Sequence, residues 1–285
     1  MKKMITLVFC LYLMPGLFAQ KIDYGSDSKW FWGINVGAAW NSTDVENETN
    51  AGWGLTLGRS FNYATGKLTS FDLRLRYLGG NWYGQDYETT DLSNYNPAYM
   101  PDNLQDYKDN PGFTVNNFNS TNHELGLELV LHANRLRERT GWDPYIFGGA
   151  NLVWNQTQSD LVNFDSSFFG DPGQYNYDPT FINEATINGM LDGVYETPMN
   201  AGSENLDYNL NFMPSLGVGL GYYFGPRWSL GVEHKTTFTL KDDWDGYEDA
   251  TPGLWGLSND IYHYTGGYLR FHFRGGRGEV TPPNN

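Results

Sequence analysis

The stretch "GYLRFHF", Gly267 to Phe273, decides the fold. Taken at every second residue, Gly267, Leu269, Phe271 and Phe273 share one side, while Tyr268, Arg270 and His272 share the other. A strand with that alternation has one apolar and one polar face. In a water-soluble protein the apolar face turns into the core. Which way it turns here depends on the rest of the chain.

The first residues set the compartment. "MKK", then "MITLVFCLYLMPGLF", then "AQ" carry the charged start, apolar middle and small-residue end of a secretory signal peptide, with cleavage expected after Ala19. The only cysteine, Cys10, lies inside that run, so residues 20–285 hold no disulfide, thiolate metal site or cysteine nucleophile. Tyr, Phe and Trp number 20, 17 and 10, and there are 34 Gly. Mean hydropathy is negative, which argues against membrane helices. It does not argue against a barrel, whose alternating strands average out. The net charge is −15, and −17 without Lys2 and Lys3, so nucleic acid is not an expected partner: phosphate contacts need clustered Lys and Arg.

Eight alternating segments follow, at about 31–41, 51–61, 68–80, 120–133, 144–155, 209–224, 227–240 and 260–273. Each is long enough to cross a bilayer at a tilt. The links "NYATGK", "RLRERTGWD" and "GPR" are short; the other four are long and irregular. Strict short/long alternation places every long loop at one end, the plan of an up-and-down transmembrane barrel. The expected architecture is all-β and antiparallel, with eight strands. The expected organisation is a leader at 1–19, an outer-membrane barrel at 20–273 and a periplasmic tail at 274–285. Loops would be extracellular and both termini periplasmic. The loop at 156–208 holds nine Asp or Glu and no Lys or Arg, whereas the short link "RLRERT" is basic.

On this plan the apolar face of "GYLRFHF" meets lipid. The same parity turns Ile34, Val36, Ala38 and Trp40 outward, then Trp53, Leu55 and Leu57, then Phe71, Leu73, Leu75 and Tyr77. Leu125 to Leu131, Leu216 to Tyr222 and Trp228 to Val232 repeat the pattern at alternate positions. "PYIFGGANLVW" is apolar on both faces, and its parity stays open. Inward parity collects glycines together with Asp72, Arg74, Arg76, Glu124, Glu128, Glu233, Lys235 and Arg270, four acids and four bases. Eight strands leave an interior just wide enough for side chains, so this set reads as a bonded plug. A narrow ion pathway along the same residues is the alternative.

Catalytic and metal readings fare less well. "KDDWDGYED" (241–249) clusters carboxylates but lacks EF-hand spacing, with Lys241 and Pro252 at ligand positions. By parity His123 and Glu124 face opposite ways, and His263 points outward near Thr265, so neither histidine has a base-and-orienter arrangement. No enzyme, metal or cofactor is expected.

With its strands placed, the chain over residues 30–273 resembles the membrane domain of OmpA-like proteins. "FDLRLRYLGGNWYGQD" (71–86), "DPYIFGGANLVW" (143–154) and "VEHKTTFTLKDDWDGYED" (232–249) resemble barrels of Bacteroidota, the last two also PorG-type barrels of type IX secretion. The resemblance implies that Leu269, Phe271 and Phe273, ending the last strand, form the insertion signal. It also implies a structural or partner-binding role without a cofactor. Expected partners are outer-membrane lipid, lipopolysaccharide, and proteins of the outer membrane or periplasm met through loops or tail. Adhesion through the acidic, aromatic loops is a further alternative. "RGGRGEVTPPNN" resembles the start of a linker, and peptidoglycan anchoring is not expected.

Overall fold

In the computed structural model the described residues are 30–61, 68–91, 113–160, 162–163, 173–174, 183–195, 197–199, 208–224, 227–240, 244–246 and 260–273. The expected leader, the link at 62–67 and the tail at 274–285 lie outside them.

Eight long strands, with the two-residue strands Asn47–Glu48 and Thr197–Pro198 paired onto them, form one sheet: β1 Trp30–Ser42, β2 Asn50–Phe61, β3 Thr69–Gln85, β4 Asn117–Ala133, β5 Trp142–Ser159, β6 Asn209–Tyr223, β7 Trp228–Phe238 and β8 Ile261–His272. Each long strand pairs antiparallel with its neighbouring long strands in sequence, and β1 pairs with β8, which closes the barrel. Closure leaves no strand edge with unpaired backbone groups, the condition for a sheet to stand in lipid. The register fixes the stagger. From His132 the paired residues run through Tyr145, Gly219, Glu233, Gly266, Gly37, Gly52 and Gly80 back to β4 at Asn122. The circuit therefore returns ten residues from its start, between positions 132 and 122.

The outward faces follow the alternation. Ile34, Val36, Leu55, Leu57, Leu73, Leu75, Leu127, Leu129, Leu216, Val218, Leu230 and Val232 all face out, Val36 with 65% of its surface exposed. Aromatic rings flank this aliphatic band. At the short-turn end Phe271 meets Trp228 edge-on, Trp142 lies against Tyr222 and Phe61 stacks on Phe71. Toward the long-loop end Trp53 meets Tyr77, and Trp40 stacks on His263 with ring centres 3.9 Å apart. An apolar band bounded by two aromatic belts matches the hydrocarbon slab and its two interfaces. The parity left open for β5 is settled: Ile146 and Leu152 face out, while Asp143, Tyr145, Phe147, Asn151 and Val153 are buried inside.

Inward glycines make room for large inward side chains on neighbouring strands. A Cβ on Gly58 would collide with the Phe31 ring, and one on Gly217 or Gly219 with Phe147 or Tyr145. Small and large residues thus alternate across the interior, as a narrow barrel requires.

Two differences from the expected strands have physical causes. β3, β4 and β5 run past the apolar band to Gln85, Asn117 and Ser159, five, three and four residues beyond the alternating segments. Their extensions ("NWYGQ", "NFN", "QTQS") turn Trp82, Phe118 and Thr157 inward and carry Asn81, Tyr83, Asn119, Gln156 and Gln158 on the other face, which a strand leaving the lipid tolerates and a lipid-facing strand does not. The link between β4 and β5 contains a helix, α1 Asn134–Thr140, ended by Gly141 in the left-handed conformation (φ 77°). Beyond the barrel a second short helix, α2 Glu184–Met190, starts with the Asn183 side chain accepting the Thr186 amide. Its Ile187 packs with Val115, Tyr87, Met190 and Leu191.

Candidate functional site

Function in a barrel of this size lies in what fills it and what crowns it. Three layers of buried side chains occupy the interior of the described structure, and each arises from the inward parity of particular strands.

The central layer holds seven of the eight charges singled out by sequence. Glu233 on β7 is its hub. It accepts hydrogen bonds from Arg74 Nη1 at 2.7 Å, Arg76 Nη2 at 2.5 Å, Arg270 Nη2 and the Tyr145 hydroxyl. Glu128 pairs with Arg74 Nε, with Arg76 Nε at 3.2 Å and with Lys235 Nζ at 3.2 Å. Glu124 turns away from the arginines and takes Lys235 Nζ and the Tyr262 hydroxyl, the latter at 2.9 Å. Lys235 also donates to Asn151 Oδ1 at 3.0 Å. Arg74 lies over the Phe147 ring at 4.2 Å and Arg270 over the Tyr268 ring at 3.9 Å. Ion pairs shut away from water are held only when both partners are present and their remaining hydrogen-bonding groups are met.

Asp72, the eighth charge, does not join them. It lies nearer the short-turn end, where His132 Nε2 meets its carboxylate at 3.0 Å and His132 Nδ1 meets Asp143 at 2.9 Å. With a carboxylate on each ring nitrogen, His132 bridges the two acids. Arg137 reaches in from α1 to 3.7 Å from Asp143 and donates to Asn134 Oδ1 at 2.9 Å. Two acids and two bases close this layer on themselves. The even count of four and four expected in one plug therefore resolves into two layers.

Aromatic rings fill the third layer, at the long-loop end. Trp244, carried by the β7–β8 connection, stacks on Tyr262 (5.0 Å, 13°), and both meet Trp82 edge-on. Phe118, Met199, Met213, Val45 and Ala39 complete the cluster. The loop segments are tied down from several sides: Thr157 Oγ1 donates to the Trp244 carbonyl at 2.8 Å, and the Trp244 amide donates to Asp260 at 2.9 Å. The Met199 amide donates to the Thr157 carbonyl at 3.0 Å. Just outside, Asp86 accepts the Glu46 amide at 2.8 Å, and burial pushes its carboxyl above the usual range.

The sequence had no signal for several of these residues. Asp143 and Tyr145 were hidden by the two-faced apolarity of β5, and Arg137 reads as a solvated turn charge. Trp244 sits in "KDDWDGYED", of which 241–243 and 247–249 lie outside the described residues. The histidines considered for catalysis face outward. His123 Nδ1 shares a hydrogen bond with the Tyr77 hydroxyl at 2.8 Å, while Glu124 points in. His263 stands between Trp40 and Thr236 Oγ1, the latter 3.1 Å away. Leu269 and Phe273 face outward, Phe271 is half-buried, and the Phe273 amide donates to the Trp30 carbonyl at 2.9 Å.

No family model matches the chain, and no curated protein matches it. Solved structures with a similar arrangement include Neisserial surface protein A (8% identity, TM-score 0.39), aligned over 87% of this chain and 100% of that one. The N-terminal β-barrel domain of Pseudomonas aeruginosa OprF aligns over 85% and 97% (11% identity, TM-score 0.33). The attachment invasion locus protein Ail of Yersinia pestis, solved with a heparin analogue, aligns over 87% and 99% (9% identity, TM-score 0.37). The eight-stranded closed barrel rests on the strand pairing of the chain itself.

Proposed function

We propose that this chain is a structural protein of a bacterial outer membrane, a filled barrel that holds an extracellular platform for protein partners. The observation that carries the reading is the interior. Paired charges fill its centre, a closed His–Asp–Arg layer lies below, and anchored aromatic rings lie above. Such a core invests its polar groups in cohesion, and the apolar band with two aromatic belts supplies the membrane contact. The platform is the extension of β3, β4 and β5 beyond the band, with α2 packed on it. Partners reach the barrel through this platform or through the periplasmic tail at 274–285, in a secretion or surface-protein complex of the kind the PorG-type resemblance implies. In this orientation the long loops are extracellular and both termini periplasmic.

The test is purification of the tagged chain from native membranes in mild detergent. A stoichiometric set of outer-membrane or periplasmic proteins is expected. Replacing residues 183–195 by a Gly–Ser linker should release that set if the platform binds it, and truncation at residue 274 should do so if the tail does. A barrel that purifies alone, or a complex indifferent to both changes, contradicts the proposal. An ohmic single-channel conductance in planar bilayers would favour the pore instead.

A further inference from the structure

The outward wall is apolar along most of its height, but one patch of it is polar. Where β7, β8 and β1 run side by side, Thr236, His263 and Trp40 lie opposite one another. One outward step nearer the short-turn end, so do His234, Thr265 and Ala38. The rings lie nearly parallel, with His263 3.9 Å from Trp40 and 5.4 Å from His234 between centres. The patch is not simply where the apolar band stops. The next outward residues toward the long loops, Ile261, Phe238 and Leu240, are apolar again, Leu240 with 60% of its surface exposed.

Within the patch the polar groups almost consume one another. Trp40 Nε1 has only a hydrogen to give, and it donates to Thr265 Oγ1 at 3.3 Å. Thr265 Oγ1 lies 2.8 Å from His234 Nδ1, His234 Nε2 lies 3.3 Å from Thr236 Oγ1, and Thr236 Oγ1 lies 3.1 Å from His263 Nδ1. With neutral rings, five groups that each bring one donor hydrogen share four hydrogen bonds, so one hydrogen is left over in either tautomer. Run in one direction from Trp40, the chain leaves a single group unmet, the His263 Nε2–H. Every other arrangement leaves two: a bare nitrogen at the same place and a stray threonine hydroxyl.

Gly267 follows His263 and Thr265 along the outward face of β8. Each of the other glycines in the eight strands would press a Cβ to within 3.1 Å or less of a neighbouring atom. A Cβ on Gly267 would meet only the Gly231 carbonyl, at 3.8 Å. The packing of the chain therefore does not require a glycine there. Val36 and Val232, opposite it on β1 and β7, stand out with 65% and 59% of their surface exposed and wall a furrow over it. A strand glycine of this kind marks a place where another molecule or backbone comes close.

An unmet N–H in an apolar wall calls for an acceptor, and the furrow next to it calls for hydrocarbon. A lipid ester joins the two, because its carbonyl sits where headgroups meet hydrocarbon and its methylenes run on toward the bilayer centre. Water would meet the N–H and leave the furrow empty. We propose that this face seats one ester-linked lipid of the leaflet at the long-loop end. Its carbonyl oxygen accepts from His263 Nε2, and the start of its acyl chain lies over Gly267. The site rests on the lipid contact of the wall and not on which proteins the platform binds.

The test uses the full chain folded in detergent micelles doped with a phosphatidylcholine that carries a diazirine beside its ester group. The dialkyl ether lipid with the same head and diazirine is the control. On irradiation the ester lipid should label residues 261–269 in preference to the other strands, and the ether lipid should label them about fivefold less, the worth of one hydrogen bond. His263→Phe keeps a ring against Trp40 and should bring ester labelling down to the ether level. Gly267→Leu keeps His263, fills the furrow and should remove the preference for this segment with both lipids; if it misfolds, the ether control and His263→Phe still decide. Labelling spread evenly around the barrel, equal labelling by the two lipids, or an ester preference that survives His263→Phe overturns the proposal.

Discussion

Replacing Glu233 by Leu is expected to destabilise the barrel by about 3–5 kcal/mol, the cost of leaving buried charge uncompensated. Three guanidinium groups converge on that one carboxylate, and Tyr145 donates to it as well. Without it, Arg74 and Arg76 share only Glu128, and Arg270 loses its acidic partner in the layer. Urea unfolding of the protein reconstituted in thin-bilayer vesicles reads the loss. Glu124→Gln is the internal comparison. Its partner Lys235 keeps Glu128 at 3.2 Å, so the penalty should be smaller. A Glu233→Leu loss of about 1 kcal/mol or less, the scale of an exposed ion pair, would show that water reaches the layer.

The outer wall yields the second large effect. Leu129 sits within the aliphatic band of β4 with 55% of its surface facing out. Leu129→Arg should cost about 2–4 kcal/mol in a bilayer, whereas Leu68→Arg, just before β3 at the short-turn end, should cost about 0–1 kcal/mol. The same vesicle unfolding assay checks both. Equal penalties at the two positions would remove the depth dependence that a membrane slab imposes.

The barrel was legible in the sequence because lipid and a packed interior impose opposite chemistry on alternate residues. "FDLRLRY" states it without ambiguity: Phe71, Leu73 and Leu75 face out, Asp72, Arg74 and Arg76 face in. Where one constraint lapses, legibility lapses too. On β5 the inward side chains include Tyr145, Phe147 and Val153, as apolar as their outward neighbours, because rings there cover arginines and fill volume freed by glycines. Parity alone could not assign them. Above the band the outer face of β3, β4 and β5 no longer meets lipid while the inner face still packs Trp82, Phe118 and Thr157, so the apolar-out alternation fades and these three strands were drawn too short. Pairing was only partly legible. Arg74 and Glu128 sit opposite each other in the register, and adjacency of the third and fourth strands suggested it. Glu233 reaches across the barrel to three arginines, a contact that no spacing along the chain encodes. The aromatic closure was hidden for a similar reason, since Trp244 comes from a loop whose acidic composition drew attention to its carboxylates.

A spin-label scan along β4 tests the central claim most directly. Cys10, in the expected leader, is the only cysteine, so each introduced label is unique in the mature chain. Labels placed singly at 125 through 132, in protein reconstituted in lipid, should alternate. Positions 125, 127, 129 and 131 should relax strongly with dissolved oxygen, which concentrates in hydrocarbon. Positions 126, 128, 130 and 132 should be immobilised and shielded from both oxygen and aqueous nickel complexes, or should block folding outright. Oxygen accessibility at the even positions, or nickel accessibility throughout the odd ones, would contradict a barrel with lipid outside and a sealed charged core within.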